Sequence, residues 1–497
     1  MSPVLILTCV GIYTVVLFAI TYFTAKNADN KSFFIGNRSS KWFIVAYGMI
    51  GASLSGVTFM SVPGDVSKGA FSYFQMVLGY LLGYFVIAFV LLPLYYRLNL
   101  TSIYSYLKNR LGTYSYKTGA FFFILSRTIG ASFRLFIVVN VLQIFVFDAW
   151  GVPFAVTTGI FIMLILAYTF KGGVKTIVWT DSLQTTFMLL SLVLSVILIC
   201  RQLDFGFGDM VTAIKDSVYS KIVVSDWQAK TFFPKHFFGG MFIAIAMTGL
   251  DQEMMQKNIS CKNIGEAKKN MLTFSFILVL VNFIFLCLGA LLYLFITTKG
   301  ISVPERTTDD LFPIIALQHL GTLSALFFII GLISAAYPSA DGALTALTAS
   351  FCIDFLNFER PHPNPLPVGE GERERAEARK VFIRKIVHIC FAILLLLVIV
   401  IFRMINDEAV IRQLFKVANY TYGPLLGLFF FGILTKRNVQ DKLVPVICLL
   451  SPVLCYLLDA NSKTLFNGYL FGNELLIVNG VLTFAGLYAI GKKEIKS

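Results

Sequence analysis

The chain has 497 residues, of which 57% are hydrophobic and only 14% charged, and its mean hydropathy is +0.77. A water-soluble chain of this length would carry about 25% charged residues, so a soluble enzyme, a nucleic-acid binder and a disordered protein are all excluded. The net charge of +14 reads as the excess of Lys and Arg that polytopic membrane proteins keep on one side of the bilayer.

Apolar runs of about 18 residues or more are candidate membrane-spanning helices. About thirteen occur, near 3–23, 43–62, 71–96, 118–147, 152–170, 176–201, 237–256, 271–297, 321–351, 381–403, 410–434, 441–458 and 471–490. The first lacks a basic leader and a small-residue cleavage site, so it reads as a retained helix and not a signal peptide. Basic residues gather in alternate connections: Lys26 to Lys41, Arg97 to Lys117, Lys171 and Lys175, Lys257 to Lys269, Arg360 to Lys380, Lys436 to Lys442, and the tail. The positive-inside rule then places the N-terminus outside and the C-terminus inside, which an odd helix count requires. The expectation is an all-α, multi-pass protein of the inner (plasma) membrane.

Polar and small residues inside such helices are costly and invite a functional reading. The run at 43–62 carries Gly48, Gly51, Ser53, Ser55, Gly56, Thr58 and Ser61. That density suggests unwound backbone, which is tolerated at membrane depth where it lines a cavity; close helix packing is the alternative. Arg127 and Arg134, seven apart in the fourth run, share a helix face. The run at 237–256 holds a matching irregularity, Gly239-Gly240 followed by Thr248-Gly249-Leu250-Asp251-Gln252. The run at 321–351 reads Ser334-Ala335-Ala336-Tyr337-Pro338-Ser339-Ala340-Asp341-Gly342, a polar stripe with a carboxylate in it. Residues 359–378 are polar and Pro-rich at their start, and read as a disordered cytoplasmic insertion. Eight scattered Cys and four dispersed His provide no disulfide framework and no metal cluster.

Gly172-Gly173, then Thr180-Asp181 and Gln184, resembles the signature of the sodium/solute symporter family. Further family-like stretches follow in order: Leu100 to Leu107 with Arg110 and Gly112, Asp251-Gln252 with Gln256, and Tyr422-Gly423-Pro424-Leu425-Leu426-Gly427. The resemblance implies a LeuT-type fold of two inverted five-helix repeats, here 43–201 and 237–434. An extra helix at 3–23 precedes them and two helices within 441–490 follow. It also implies secondary active transport by alternating access, driven by sodium as the coupling ion and with no other cofactor or metal.

Carried over residue by residue, the resemblance places a sodium site at Gly51 and Leu54 with Ala335, Pro338 and Ser339. Pro338 departs from the family, whose members usually have a second Ser there. A second cation or proton site falls on Asp181, Asp341 and Gly342, the last two at positions where relatives carry hydroxyls. Substrate-binding candidates are Ser55, Thr58, Gln75, Arg127 and Arg134. An arginine fork matches a carboxylate, so the expected solute is a small organic anion such as a sialic acid, a sugar acid or a carboxylate. The alternative for each arginine is a structural pairing within the bundle, and a neutral sugar remains open as solute. The expected partners are therefore sodium, a small solute and the lipid bilayer, and no nucleic acid. A transporter-like sensor would need an attached signalling domain, and only Gly491 to Ser497 follow the last run. A membrane enzyme would need a nucleophile–base or metal set that the His and Cys do not supply.

Overall fold

The computed structural model describes residues 3–24, 38–303, 308–358, 370–406 and 408–492. They form a helical bundle: α1 (Pro3–Thr24), α2 (Trp42–Ser53), α3 (Gly56–Gly69), α4 (Tyr73–Val86), α5 (Thr113–Leu142), α6 (Phe154–Gln202), α7 (Phe233–Ala244), α8 (Gln252–Ile259), α9 (Ile264–Lys299), α10 (Gly321–Ser350), α11 (Glu370–Ile405), α12 (Val410–Thr421), α13 (Gly423–Leu434), α14 (Val444–Ala460) and α15 (Leu475–Ala489). One two-stranded antiparallel pair joins Asn438–Val439 to Gly491–Lys492.

Among the described residues, eight helices are long and apolar enough to cross a membrane, or nine if the bent pair α12–α13 counts as one span. The expected thirteen therefore do not all appear as continuous spans. The run at 43–62 is split into α2 and α3, and that at 237–256 into α7 and α8, while α15 is a shorter apolar helix. The runs at 152–170 and 176–201 belong to one helical element, α6, within which Thr176–Gln202 is long enough to span and Phe154–Phe170 is a shorter apolar helix. Residues 370–378 of the expected insertion are the first turns of α11, and 359–369 lie outside the described residues.

The first break is at Leu54 (φ −85°, ψ 59°) and Ser55 (φ −60°, ψ 178°). Its small residues serve packing as well as unwinding. A Cβ on Gly51 would come 2.3 Å from Thr185 Oγ1, and one on Gly56 2.7 Å from Val138, so α2 lies directly on α6 and the break directly on α5. The second break falls at Leu250–Asp251, after a π-turn over Ile245–Gly249. Its freed carbonyls are satisfied inside the bundle, Gly249 O by Tyr95 OH and Leu250 O by Tyr104 OH, each at 2.8 Å. Gly239 and Gly240, expected at this irregularity, lie inside α7, where a Cβ on Gly240 would meet Met76 O at 2.2 Å. They permit a close helix crossing.

α10 is buried along nearly its whole length and packs against α2, α3, α5 and α6. It is the core around which the broken helices sit. Ser40 N–H donates to Ser260 O at 3.0 Å, tying the start of α2 to the end of α8. α12 and α13 meet at a 45° bend. The carbonyls of Asn419 and Tyr420 beside it accept from Asn479 Nδ2 on α15, at 3.0 and 2.9 Å.

Candidate functional site

The Leu54–Ser55 break opens on a cavity of about 70 Å³, lined by Ser55 and Thr58, by Tyr73, Tyr80 and Tyr84 of α4, by Arg127 and Arg134 of α5, and by Ile411 and Phe415 of α12. Next to it lies a vestibule of about 730 Å³, whose walls include Asp65, Lys68, His236, Arg412 and Lys416. Tyr73, Ile411 and Phe415 border both spaces. The Tyr73 and Phe415 rings, with centroids 6.5 Å apart, form a thin partition between them.

The two arginines differ in their surroundings. Arg127 donates to Glu253 Oε2, and its Nη1 is 3.8 Å from Asp251 Oδ2. Arg134 is only 8% exposed, and among the described residues no ion pair or hydrogen bond engages its guanidinium. A buried cation without a partner is expensive, and this one faces the cavity.

Gln75 stands apart from the other substrate candidates. Its amide donates to Ser72 O and Thr231 O, each at 3.1 Å, and accepts from Val224 N–H at 3.3 Å. It is fully buried, does not line the cavity, and anchors the 224–231 segment on α4.

The sodium-site candidates fall on α10 and on the facing end of α2. Ala335, Pro338 and Ser339 are buried. Among the described residues, Ser339 Oγ has no hydrogen-bond partner. Among the described residues, no backbone donor reaches the carbonyls of Gly51 and Leu54. Pro338 carries no N–H, so the carbonyl of Ser334 also lacks its usual helical donor. Unsatisfied buried oxygens of this kind call for a ligand or water, and hydroxyl and carbonyl oxygens suit a hard cation.

Asp181 and Asp341 sit in a denser network. Lys257 Nζ lies 2.7 Å from Asp181 Oδ2 and 3.2 Å from Glu253 Oε1. Asp341 accepts from Tyr168 OH at 2.6 Å and from the Gly342 N–H at 2.5 Å. Gly342 itself clears space: a Cβ there would be 2.4 Å from Glu253 Oε1. Sequence reasoning assigned Lys257 to a basic connection and passed over Glu253. The available signal was an acid–base pair at i, i+4 directly after the Asp251-Gln252 break. Tyr73, Tyr80, Tyr84 and Phe415 were also missed, because aromatic residues in an apolar helix read as ordinary core.

Comparison with known proteins identifies the family. The pattern of the Sodium:solute symporter family matches residues 33–441. The sodium/sialic acid symporter SiaT of Proteus mirabilis is 23% identical over 97% of this chain and 95% of its own length. Sodium/sialic acid symporter NanT of Aliivibrio fischeri is 23% identical over 93% and 89%. Mouse sodium-coupled monocarboxylate transporter 2 is 24% identical over 82% of this chain and 64% of that protein. The solved structure of a Na⁺-coupled sialic acid symporter in a substrate-bound outward-open state superposes with a TM-score of 0.80 over 98% of this chain and 99% of that one, at 19% identity. A nucleobase–cation symporter, Mhp1, follows at 0.53 and 13% identity, over 93% of this chain and 94% of its own. With a LeuT-like helical fold, apolar membrane helices and a family match over most of its length, the chain is a sodium-coupled solute symporter and belongs to the sodium:solute symporter family.

Proposed function

We propose that this symporter carries a small organic anion, a sialic acid, sugar acid or simple carboxylate, inward by alternating access. The observation that carries the reading is Arg134, a buried guanidinium that no ion pair or hydrogen bond engages among the described residues, at the wall of the central cavity. A carboxylate would satisfy it with two parallel charge-assisted hydrogen bonds, and Ser55 and Thr58 offer hydroxyls alongside. The named solutes of the relatives, sialic acid and monocarboxylates, share a carboxylate, which supports the same class. Arg127 is committed to Glu253 and acts through the bundle.

In this reading sodium binds between the Gly51 and Leu54 carbonyls and the Ala335, Pro338 and Ser339 positions of α10. Asp181, Asp341 and Gly342 belong to a second charge-handling centre. The repeats are 43–201 and 237–434, the N-terminus is outside, and the membrane is the cell's inner (plasma) membrane. The wide vestibule against the tightly paired network at α8 supports an outward-facing state.

Purified protein in liposomes, offered sialic acid, a monocarboxylate and a neutral hexose with and without an inward sodium gradient, tests the proposal. Sodium-driven accumulation of an anion, reduced by Arg134→Gln, is the expected result. Transport confined to neutral sugars overturns it.

A further inference from the structure

At the end of the bundle away from the vestibule, α6, α8 and α10 converge on Lys257. This ammonium is 3% exposed, and it touches Asp181 of α6 at 2.7 Å and Glu253 of its own helix at 3.2 Å, carboxylates that are 0% and 2% exposed. Two carboxylates this close inside a membrane protein cannot both stay ionised without a cation between them. Here the chain supplies that cation itself.

We infer that the Lys257 ammonium is a tethered ion standing in the place of a second coupling cation, so that this symporter binds one sodium per transport cycle. The inference rests on the sodium-symport reading and narrows its second centre. Three features make the site a built one. Both oxygens of Glu253 are used, Oε1 by Lys257 and Oε2 by Arg127. Gly342 leaves the space that Glu253 occupies, since any side chain there would strike its carboxylate. Asp341, on the facing helix α10, accepts from Tyr168 OH and its neighbour's N–H, and among the described residues no base forms an ion pair with it. The position between Asp181 and Glu253 is therefore filled by a positive charge before any ion arrives, and Arg127 balances the second acid.

A lysine differs from sodium in one decisive respect: it cannot leave. Together with Arg127 on Glu253, it balances the charges of Asp181 and Glu253 at every stage of the cycle and adds nothing to the driving force. The accumulation limit then follows the first power of the sodium gradient, not the square.

The test is equilibrium binding of radioactive sodium alone to the purified full chain in lipid nanodiscs, at constant ionic strength with a large organic cation as balance. Wild type should bind one sodium per folded chain, and two would overturn the inference. Lys257→Gln leaves Asp181 and Glu253 without their shared cation and should bind one sodium more than wild type. Lys257→Arg should bind no more than wild type. A Lys257→Gln chain that folds and gains no sodium also overturns the inference; if it does not fold at any sodium concentration, the wild-type count decides. Failure of the parent reading looks different: wild type then binds no sodium, while the gain in Lys257→Gln still reports on the tethered ion.

Discussion

Replacing each arginine of α5 by Gln should separate two effects that their shared helix face conceals. Arg134 lines the cavity without a partner. Removing it takes away charge-assisted hydrogen bonds to a bound carboxylate, each worth about 1.5–3 kcal/mol, or about tenfold to a hundredfold in apparent KM. The fold should not suffer, because a buried charge without a partner is removed. Arg127→Gln breaks a buried ion pair, a change that costs about 3–5 kcal/mol. Glu253 keeps Lys257 at 3.2 Å, which puts the loss near the lower figure. The assay is initial uptake of sialic acid, a monocarboxylate and a neutral hexose into proteoliposomes, with the thermal midpoint of each variant measured in the same lipid. Arg134→Gln should raise KM for the anion and hold its midpoint, whereas Arg127→Gln should lower the midpoint. The reasoning is refuted if Arg134→Gln leaves the anion KM within twofold of wild type, or raises it equally for a neutral solute.

Three further outcomes follow from the geometry. Ser339→Ala removes a buried hydroxyl that has no protein partner and should raise the half-saturating sodium concentration by about tenfold, the equivalent of one hydrogen-bond-sized contact; an unchanged sodium titration would remove Ser339 from the site. Gly342→Ala drives a methyl into Glu253 and should cost about 1–3 kcal/mol as an overpacking change, seen as a lower thermal midpoint and slower uptake, and a neutral effect would mean that the Glu253–Lys257 geometry is not fixed. Asp309, in the connection between α9 and α10, accepts the Val410 N–H at 2.9 Å, and burial pushes its carboxyl up to about 6 from a normal value near 3.8. The folded state thus holds a proton that the unfolded chain releases, so stability falls as pH rises from about 4 to about 6, by up to about 3 kcal/mol. Asp309→Asn should therefore gain thermal midpoint over wild type as pH rises through that window, and a constant difference would contradict the assignment.

The bundle was legible because hydropathy reports spans directly, and the first break, at Leu54–Ser55, falls inside the cluster of small residues from Gly48 to Ser61. The second break falls within the expected Thr248 to Gln252 stretch, while Gly239-Gly240, read with it, lies inside α7, because a glycine that permits close packing looks, in sequence, like a glycine that ends a helix. Residues 370–378 alternate Glu and Arg among good helix formers, which outweighed the disorder suggested by the prolines before them. The distinction between Arg127 and Arg134 was not readable at all. It depends on Glu253, 126 residues further along the chain from Arg127, and nothing in the local pattern of α5 says which arginine meets it. Gln75 failed for a similar reason, since its partners Thr231 and Val224 belong to a connection folded back over α4.

The bend between α12 and α13 divides the work of one span. One half, α13, is pinned on α15, where a Cβ on Gly423 or Gly427 would strike Asn479 or Thr483. The other half, α12, carries Ile411 and Phe415 over the cavity and is held at its far end by Asp309 on the Val410 N–H and by Asp65 on Arg412 at 2.7 Å. Because Asn479 already satisfies the carbonyls at the bend, α12 can pivot there as a lever without unwinding backbone in the membrane. Its two acidic moorings set the resting angle of that lever, and because one of them, the Asp65–Arg412 pair, stands in the vestibule wall, the charges that an entering solute passes are also those that hold the lever open.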